Sequence, residues 1–254
     1  MDNNKYLLSS VSNTLDVLDL LSKHDELGVA EISKELNMGK SIIFRMLYTL
    51  EKKAYVQKTP QAKYKLGIKF AHYGSIVLSR QNEFSIIKPY LQKLRDEFNE
   101  ATHWAILDSD YQNIIIIDRE LSNTPIQMAS RAGAKLPSYA SATGKVLLAG
   151  LLNEDTEKNI RALKLEPKTD NTIIDHDKLI AELKKIKAQG FGIDFEEGEG
   201  GRVCFAAPIL DINNETFAAI SISGASDRMR KNEELLIKSI KDSAEEISKT
   251  LGHK

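Results

Sequence analysis

The sequence predicts an α+β protein in two parts: a small helical domain ending in a hairpin, then a joining helix, then a larger mixed sheet with helices packed on it. Three observations predict this. Residues 28–69 hold two helix-spaced apolar stripes followed by two short strand-like runs. Basic charge is concentrated in that same stretch. Beyond residue 100, strand-like pairs alternate with long amphipathic stretches, the order expected of a sheet covered by helices.

The N-terminal elements follow from spacing. Val29, Ile32, Ser33 and Leu36 recur at i, i+3, i+4 and i+7, one face of a two-turn helix. Asn37-Met38-Gly39 interrupts the stripe as a tight turn does. Ile43, Met46, Leu47 and Leu50 then define the inward face of a second helix, which leaves Lys40, Ser41, Phe44, Arg45, Tyr48 and Lys52 outside. Residues 55–59 and 63–66 read as short strands around Pro60-Gln61-Ala62. Helix, turn, helix and hairpin in this order predict a winged helix-turn-helix, which lays its second helix in the DNA major groove. Basic and hydroxyl side chains suit phosphate oxygens, arginine can read guanine, and an aromatic edge can touch a thymine methyl. Lys63 on the wing is a candidate phosphate contact.

Charge agrees with this assignment. From Leu36 to Lys69 there are eight Lys or Arg and one acid, Glu51, a local balance of +7 in a chain of net charge −1. The remainder therefore sums to −8. Such segregation is an electrostatic footprint for a polyanion. A solvated helix and hairpin would also carry lysines, but would not need the helix-turn-helix and wing that accompany them here.

The joint is expected at residues 68–78, where Phe70, Tyr73, Val77 and Leu78 have helical spacing, so a helix rather than a loose tether connects the parts. Ile86, Ile87, Tyr90, Leu91, Leu94 and Phe98 mark an amphipathic helix. Residues 103–107 and 114–118 read as paired strands around Ser109-Asp110, with 126–128 as a third. Helices are expected at 142–151, 155–163 and 176–189, strands at 191–195, 203–210 and 217–223, and a closing amphipathic helix runs through Leu235, Ile240, Ala244, Ile247 and Leu251. The expected division is 1–67 for the DNA-binding domain, 68–80 for the joining helix and 81–254 for the remainder.

Composition narrows the class. Hydrophobic content of 42% and charged content of 28% are those of a soluble globular protein. The longest apolar run, Ile114 to Ile117, is too short to span a bilayer, and MDNNKYLLSS lacks a signal-peptide pattern. A single cysteine rules out an internal disulfide framework and fits a reducing cytoplasm. The five histidines show no metal-ligand spacing, so neither metal nor cofactor is expected. GxxxxGK[ST], GxSxG and a strand-borne GxGxxG are missing, and Glu197-Gly198-Glu199-Gly200-Gly201-Arg202 is too acidic to cradle phosphate and reads as a mobile loop. No enzyme is expected.

The residues resemble a family. Ser12-Asn13-Thr14-Leu15-Asp16-Val17-Leu18, Gly39-Lys40-Ser41 with Arg45, Leu47 and Leu50, and Tyr64-Lys65-Leu66-Gly67 resemble the DNA-binding domain of the IclR-type bacterial transcription regulators. Lys135-Leu136-Pro137, Ala140-Ser141-Ala142-Thr143-Gly144-Lys145, Gly190 to Glu197, Cys204, Ala206-Ala207-Pro208 and Phe217 to Gly224 resemble the family's effector domain. The likeness spans about residues 9–251. It implies a GAF-like sheet with a ligand pocket on one side and a homodimer or homotetramer on a pseudo-palindromic double-stranded operator. It further implies a regulator, more often a repressor, answering to a small carboxylate or sugar acid. One departure stands at Ile42, where the family carries threonine; a phosphate-contacting hydroxyl is lost there.

Chemistry supports a pocket beside the motif Ala140-Ser141-Ala142-Thr143-Gly144-Lys145. Small residues precede the helix carrying Val146, Leu147 and Leu148, and free amides at a helix N-terminus attract carboxylates. By resemblance, the amides of Ala142 and Thr143 hold the effector acid, and Asp194, Cys204 and Ser221 match further pocket positions. Alanine in place of the family's glycine at Ala142, with the hydroxyl of Thr143, implies an effector larger or differently hydroxylated than the smallest oxo acids. Each position has a plain alternative: Cys204 as a small core residue, Asp194 as a strand-end turn, Ser221 as a half-buried strand serine, Glu196-Glu197 as a solvated loop. Trp104 is read as core. The competing function is a ligand-binding or interaction module of the same fold without specific DNA binding.

Overall fold

The computed structural model describes residues 6–79, 83–124 and 130–253. The chain divides into two compact units, Met1–Gln81 and Asn82–Lys254.

The first unit contains α1 (Ser9–Ser22), α2 (Val29–Glu35), α3 (Lys40–Lys52), β1 (Val56–Lys58), β2 (Tyr64–Leu66) and α4 (Lys69–Ser79). The predicted inward residues form its core. Ile32, Ile43, Leu47 and Leu50 are buried with Val17, Leu21, Leu27, Val56 and Tyr64, and Val29, Leu36 and Met46 pack against them. Burying each such side chain is worth about 1.5–3 kcal/mol. That burial, rather than intrinsic propensity, holds the seven-residue α2 in place. Ser33 closes the turn into α3: its hydroxyl donates to the Met38 carbonyl at 2.6 Å, and its carbonyl accepts from the Met38 N–H at 3.1 Å. Asn37 there takes a φ of +50°, which a short polar side chain tolerates. In the hairpin Val56 faces Leu66 and Lys58 faces Tyr64. Leu27 exchanges two backbone hydrogen bonds with Tyr64, at 2.8 and 2.9 Å, tying the chain before α2 to the wing.

The start of α4 is seated on the wing. Tyr55 meets Phe70 edge-on with ring centroids 5.5 Å apart, and its hydroxyl lies 3.2 Å from that of Tyr73. Lys69 Nζ sits 4.5 Å from the Tyr55 ring centroid and donates to the Lys53 carbonyl. A Cβ on Gly67 would come within 2.5 Å of the Ala54 carbonyl oxygen, so only glycine allows this close turn into α4. Val77 and Leu78, also part of the predicted stripe, have side chains outside the described residues.

The second unit comprises α5 (Glu83–Phe98), β3 (Ala101–Leu107), β4 (Asn113–Glu120), β5 (Lys135–Pro137), a 3-10 turn (Ser138–Ala140), α6 (Ala142–Leu151), α7 (Glu154–Arg161), α8 (His176–Gln189), β6 (Gly192–Phe195), β7 (Arg202–Leu210), β8 (Thr216–Ala225), α9 (Ser226–Lys231) and α10 (Glu233–Thr250). Predicted α6 and α8 coincide with the observed helices. Neither β5 nor α9 is predicted, because three and six residues are too short for a period to declare itself. The strand expected at 126–128 lies outside the described residues.

The sheet is antiparallel, in the order β5-β4-β3-β8-β7-β6. Strand alternation divides its residues between two cores. Trp104, Val203, Phe205, Ala207, Ile220 and Ile222 face Leu91 and Leu94 of α5 and Leu236, Ile240 and Ala244 of α10. Ala105, Cys204, Ala206 and Ala219 face Val146, Leu147 and Leu148 of α6 and Leu179 and Leu183 of α8. Trp104 is thus core, as expected. Cys204 lies one residue out of phase with Val203 and Phe205, on the α6 face.

Candidate functional sites

The first candidate is the outer face of α3 with the wing. Lys40, Ser41, Phe44, Arg45 and Tyr48 are all exposed, as their phase against Ile43 and Leu47 requires. Phe44 and Tyr48 are about half exposed and stack on each other, centroids 6.4 Å apart, with Lys52 Nζ 5.3 Å from the Tyr48 ring. Aromatic side chains held exposed on a basic helix cost free energy unless something covers them. Gly39 begins α3 without a side-chain cap, so the first-turn amides face outward beside Lys40 and Ser41. Among the described residues, Lys63 alone of the eight cations from Lys40 to Lys69 has a carboxylate within 4.0 Å: Glu26, at 3.7 Å. The wing lysine is therefore partly neutralised, whereas Arg45 is not. Ile42, the family departure, is about half exposed at the start of the same helix.

The second candidate lies between α6 and the sheet. A small cavity of about 20 Å³ is lined by Ser141, Thr143, Asp194, Cys204 and Ser221, together with His103, Arg202 and Ser223, and is closed on its apolar side by Ile114, Ile116 and Leu136. Four of the five predicted effector residues thus come together. Ala142 is fully buried in the first turn of α6 and is not among the cavity's lining residues. Ser141, unflagged by the sequence, caps α6 by accepting from the Gly144 N–H at 3.1 Å. A Cβ on Gly144 would lie 2.2 Å from the Ser138 carbonyl oxygen, so glycine permits α6 to start this close to the turn before it.

The local electrostatics follow from burial. Asp194 is 1% exposed in the middle of a strand, not at a strand-end turn. Its Oδ1 accepts from the Glu197 N–H at 2.7 Å, while Oδ2 has no partner. Burial pushes its carboxyl above the usual range, against the pull of those amides and of Arg202 and Lys145. Burial, reinforced by the Asp194 charge, pushes the Cys204 thiol up to about 12, so it is a protonated, weakly polar wall rather than a nucleophile. His103 falls to about 4 through burial and the charges of Arg202 and Arg119, so it is neutral at pH 7 and can donate or accept.

The loop after β6 corrects one expectation. Glu197 is not solvated: it is buried, and its Oε1 pairs with the ammonium of Lys145, itself only 1% exposed, while the loop tip at Glu199, Gly200 and Gly201 is exposed. Thr172 Oγ1 donates to the Glu197 carbonyl at 2.6 Å, and Thr169 Oγ1 to that of Glu196 at 2.6 Å. The acidic, glycine-rich composition signalled solvent; the buried lysine across from it, remote in sequence, reversed that.

His103, Arg202 and Ser223 were missed, yet period two could have found Arg202 and Ser223. Each is two residues from a predicted member, Cys204 or Ser221, and so shares its face. His103 needed the register: it faces Ser221 across β3 and β8.

Two known family domains account for nearly the whole chain. Residues 10–60 match the IclR helix-turn-helix domain, and residues 75–249 match the bacterial transcriptional regulator IclR C-terminal domain. The chain is 30% identical to the HTH-type transcriptional regulator KdgR of Escherichia coli K12, covering 97% of this chain and 94% of that protein. It is 29% identical to the transcriptional repressor IclR of the same organism, over 92% and 88%. Among solved structures, the Thermotoga maritima IclR superposes with a TM-score of 0.74 at 32% identity, covering 96% and 99% of the two chains.

Proposed function

Because the chain belongs to the IclR family of DNA-binding transcription regulators, which are not enzymes, we propose that it is a cytoplasmic repressor whose hold on a pseudo-palindromic operator is set by a small carboxylate or sugar acid. Repression is the role named for one of its similar relatives. In this reading Lys40, Ser41, Phe44, Arg45, Tyr48 and Lys63 meet DNA. Thr143, Asp194, Cys204 and Ser221 surround the effector, with Ala142 contributing only backbone. The observation that carries the effector site is the unsatisfied Oδ2 of Asp194 on a cavity at the N-terminus of α6. An acceptor buried without a partner costs about 1–3 kcal/mol, which a ligand hydroxyl would recover. A cavity of about 20 Å³ holds roughly one water, so an acid enters by displacing the cavity walls.

One recognition helix per chain covers few bases, so the reading includes a dimer or a pair of dimers. Leu8, Val11 and Leu15, all exposed along one side of α1, support self-association. The α4 helix, anchored on the wing by Tyr55, Phe70 and Tyr73, is the element through which effector binding changes the DNA-binding unit, a coupling of about 1–3 kcal/mol.

Fluorescence anisotropy on a labelled operator, titrated with a panel of small acids, tests this. An acid that releases wild-type protein should fail to release Asp194→Ala, while operator affinity without acid stays unchanged. Equal release of both proteins would remove Asp194 from the effector site.

A further inference from the structure

Sheet register gathers more polar chemistry on the α6 face than a single acid uses. Cys204 faces Asp194 on β6 and Ser223 on β8; Ser221 faces His103, which faces Arg119. Arg202 is two residues from Cys204 on the same strand. Four atoms on this cavity are buried without a hydrogen-bond partner: His103 Nε2, Asp194 Oδ2, Arg202 Nε and Ser223 Oγ. Buried polar groups are nearly always satisfied, so four orphans converging on one cavity mark a site built for a polar occupant.

The orphans also state what that occupant is. Arg202 Nε can only donate, and Arg202 is 12% exposed, with its sole carboxylate contact among the described residues at the rim, 3.4 Å to the half-exposed Glu199. Ser223 and His103 can donate beside it. Arg119 lies behind His103 and gives one N–H to the Ser130 carbonyl. Lys145 is already matched by Glu197. The Arg202 guanidinium and the N-terminus of α6 therefore share the cavity with one carboxyl, that of Asp194, while the charge of Arg119 reaches His103 behind them. A monoacid seated on the α6 amides would use its only charge there and leave Arg202 with no more than its rim contact to Glu199.

We propose that the effector is a hydroxy-dicarboxylic acid: one carboxylate lies at the N-terminus of α6, and the second lies on Arg202, His103 and Ser223, with a hydroxyl donating to Asp194. This rests on the reading of the cavity as the effector pocket.

The test is calorimetric titration of the full-length protein with matched pairs: succinate against butyrate, malate against 3-hydroxybutyrate, glucarate against gluconate. In at least one pair the diacid should bind about tenfold or more tightly than its partner, the scale of a charge-assisted hydrogen bond. Arg202→Gln should erase that preference while leaving the monoacid's affinity in place, and Arg202→Lys should keep it. Emission from Trp104, buried in the same unit, reports whether each variant is folded. Equal affinities within every pair, or a preference that survives Arg202→Gln, would overturn the second subsite while leaving an acid-binding pocket standing. Failure of every acid to bind would overturn the pocket reading as well.

Discussion

Replacing Lys145 by methionine should unfold the effector unit far more readily, and in a pH-dependent way. Lys145 is 1% exposed and the Glu197 side chain 10%, so neither end of the pair has water to fall back on. Lys145→Met keeps the volume but strands Glu197. Removing one partner of a buried ion pair costs about 3–5 kcal/mol. At about 2–4 °C per kcal/mol for a unit of this size, the melting temperature should fall by roughly 6–20 °C. The sign of the pH dependence follows from the causes. Burial already raises the Glu197 carboxyl above its ordinary value, Lys145 opposes that rise, and the charges of Asp194 and Glu182 add to it. Without Lys145 the carboxyl rises further, so the folded state binds its proton more tightly than the unfolded chain. Stability is then lost as pH climbs above the ordinary carboxylate range, and the deficit at pH 5 should be smaller than at pH 7.5. The chain's one tryptophan lies in this unit, so its emission isolates the relevant transition within the intact protein. The double variant Lys145→Met with Glu197→Leu should recover most of the loss, because an apolar pair needs no compensation. A deficit below about 1 kcal/mol at pH 7.5, the scale of exposed pairs, would refute the reasoning, as would a deficit that does not change with pH.

Three further outcomes follow from the geometry. Arg45→Ala should weaken operator binding by about 1–3 kcal/mol without lowering the melting temperature, whereas Lys63→Ala, its charge shared with Glu26, should reduce the salt slope by about one unit or less and affect all sequences alike; unfolding of Arg45→Ala in the melt would make that residue structural. Gly144→Ala should cost about 1–3 kcal/mol, since its Cβ would force the Ser138 backbone aside, and a variant as stable as the parent would show that α6 can retreat freely. With its thiol held up near 12 and its side chain buried, Cys204 should resist maleimide at pH 8 until the protein is denatured; rapid labelling of the native protein would contradict both its burial and its protonation.

Much was legible in one dimension because the physics there is local. The stripes Ile43-Leu47-Leu50 and Leu179-Leu183-Ile186 repeat at the pitch of a helix, and a repeat of that kind has few other ways to bury itself. The exposed basic face of α3 follows from the same phase. Long strands declared themselves by apolar alternation, while β5 and α9 did not, because three or six residues carry no period. Thr143, Asp194, Cys204 and Ser221 entered the sequence reading through family resemblance, and their gathering on one cavity is a property of the fold.

What the sequence by itself determined was element type, facing and charge: which stretches are helices, which side points inward, and that a basic reader precedes a larger α+β unit. Only the tertiary structure decided the partners. Lys145 and Glu197 are 52 positions apart, and neither looks buried until α6 and the loop after β6 are brought together. His103 reached the cavity because β3 pairs with β8 in one register, a shift of one residue sending it to the opposite face with Trp104. Local periodicity is written in neighbouring residues. Pairing between distant segments is settled by which packing buries both sheet faces at once, and so it appears only when the whole chain is folded.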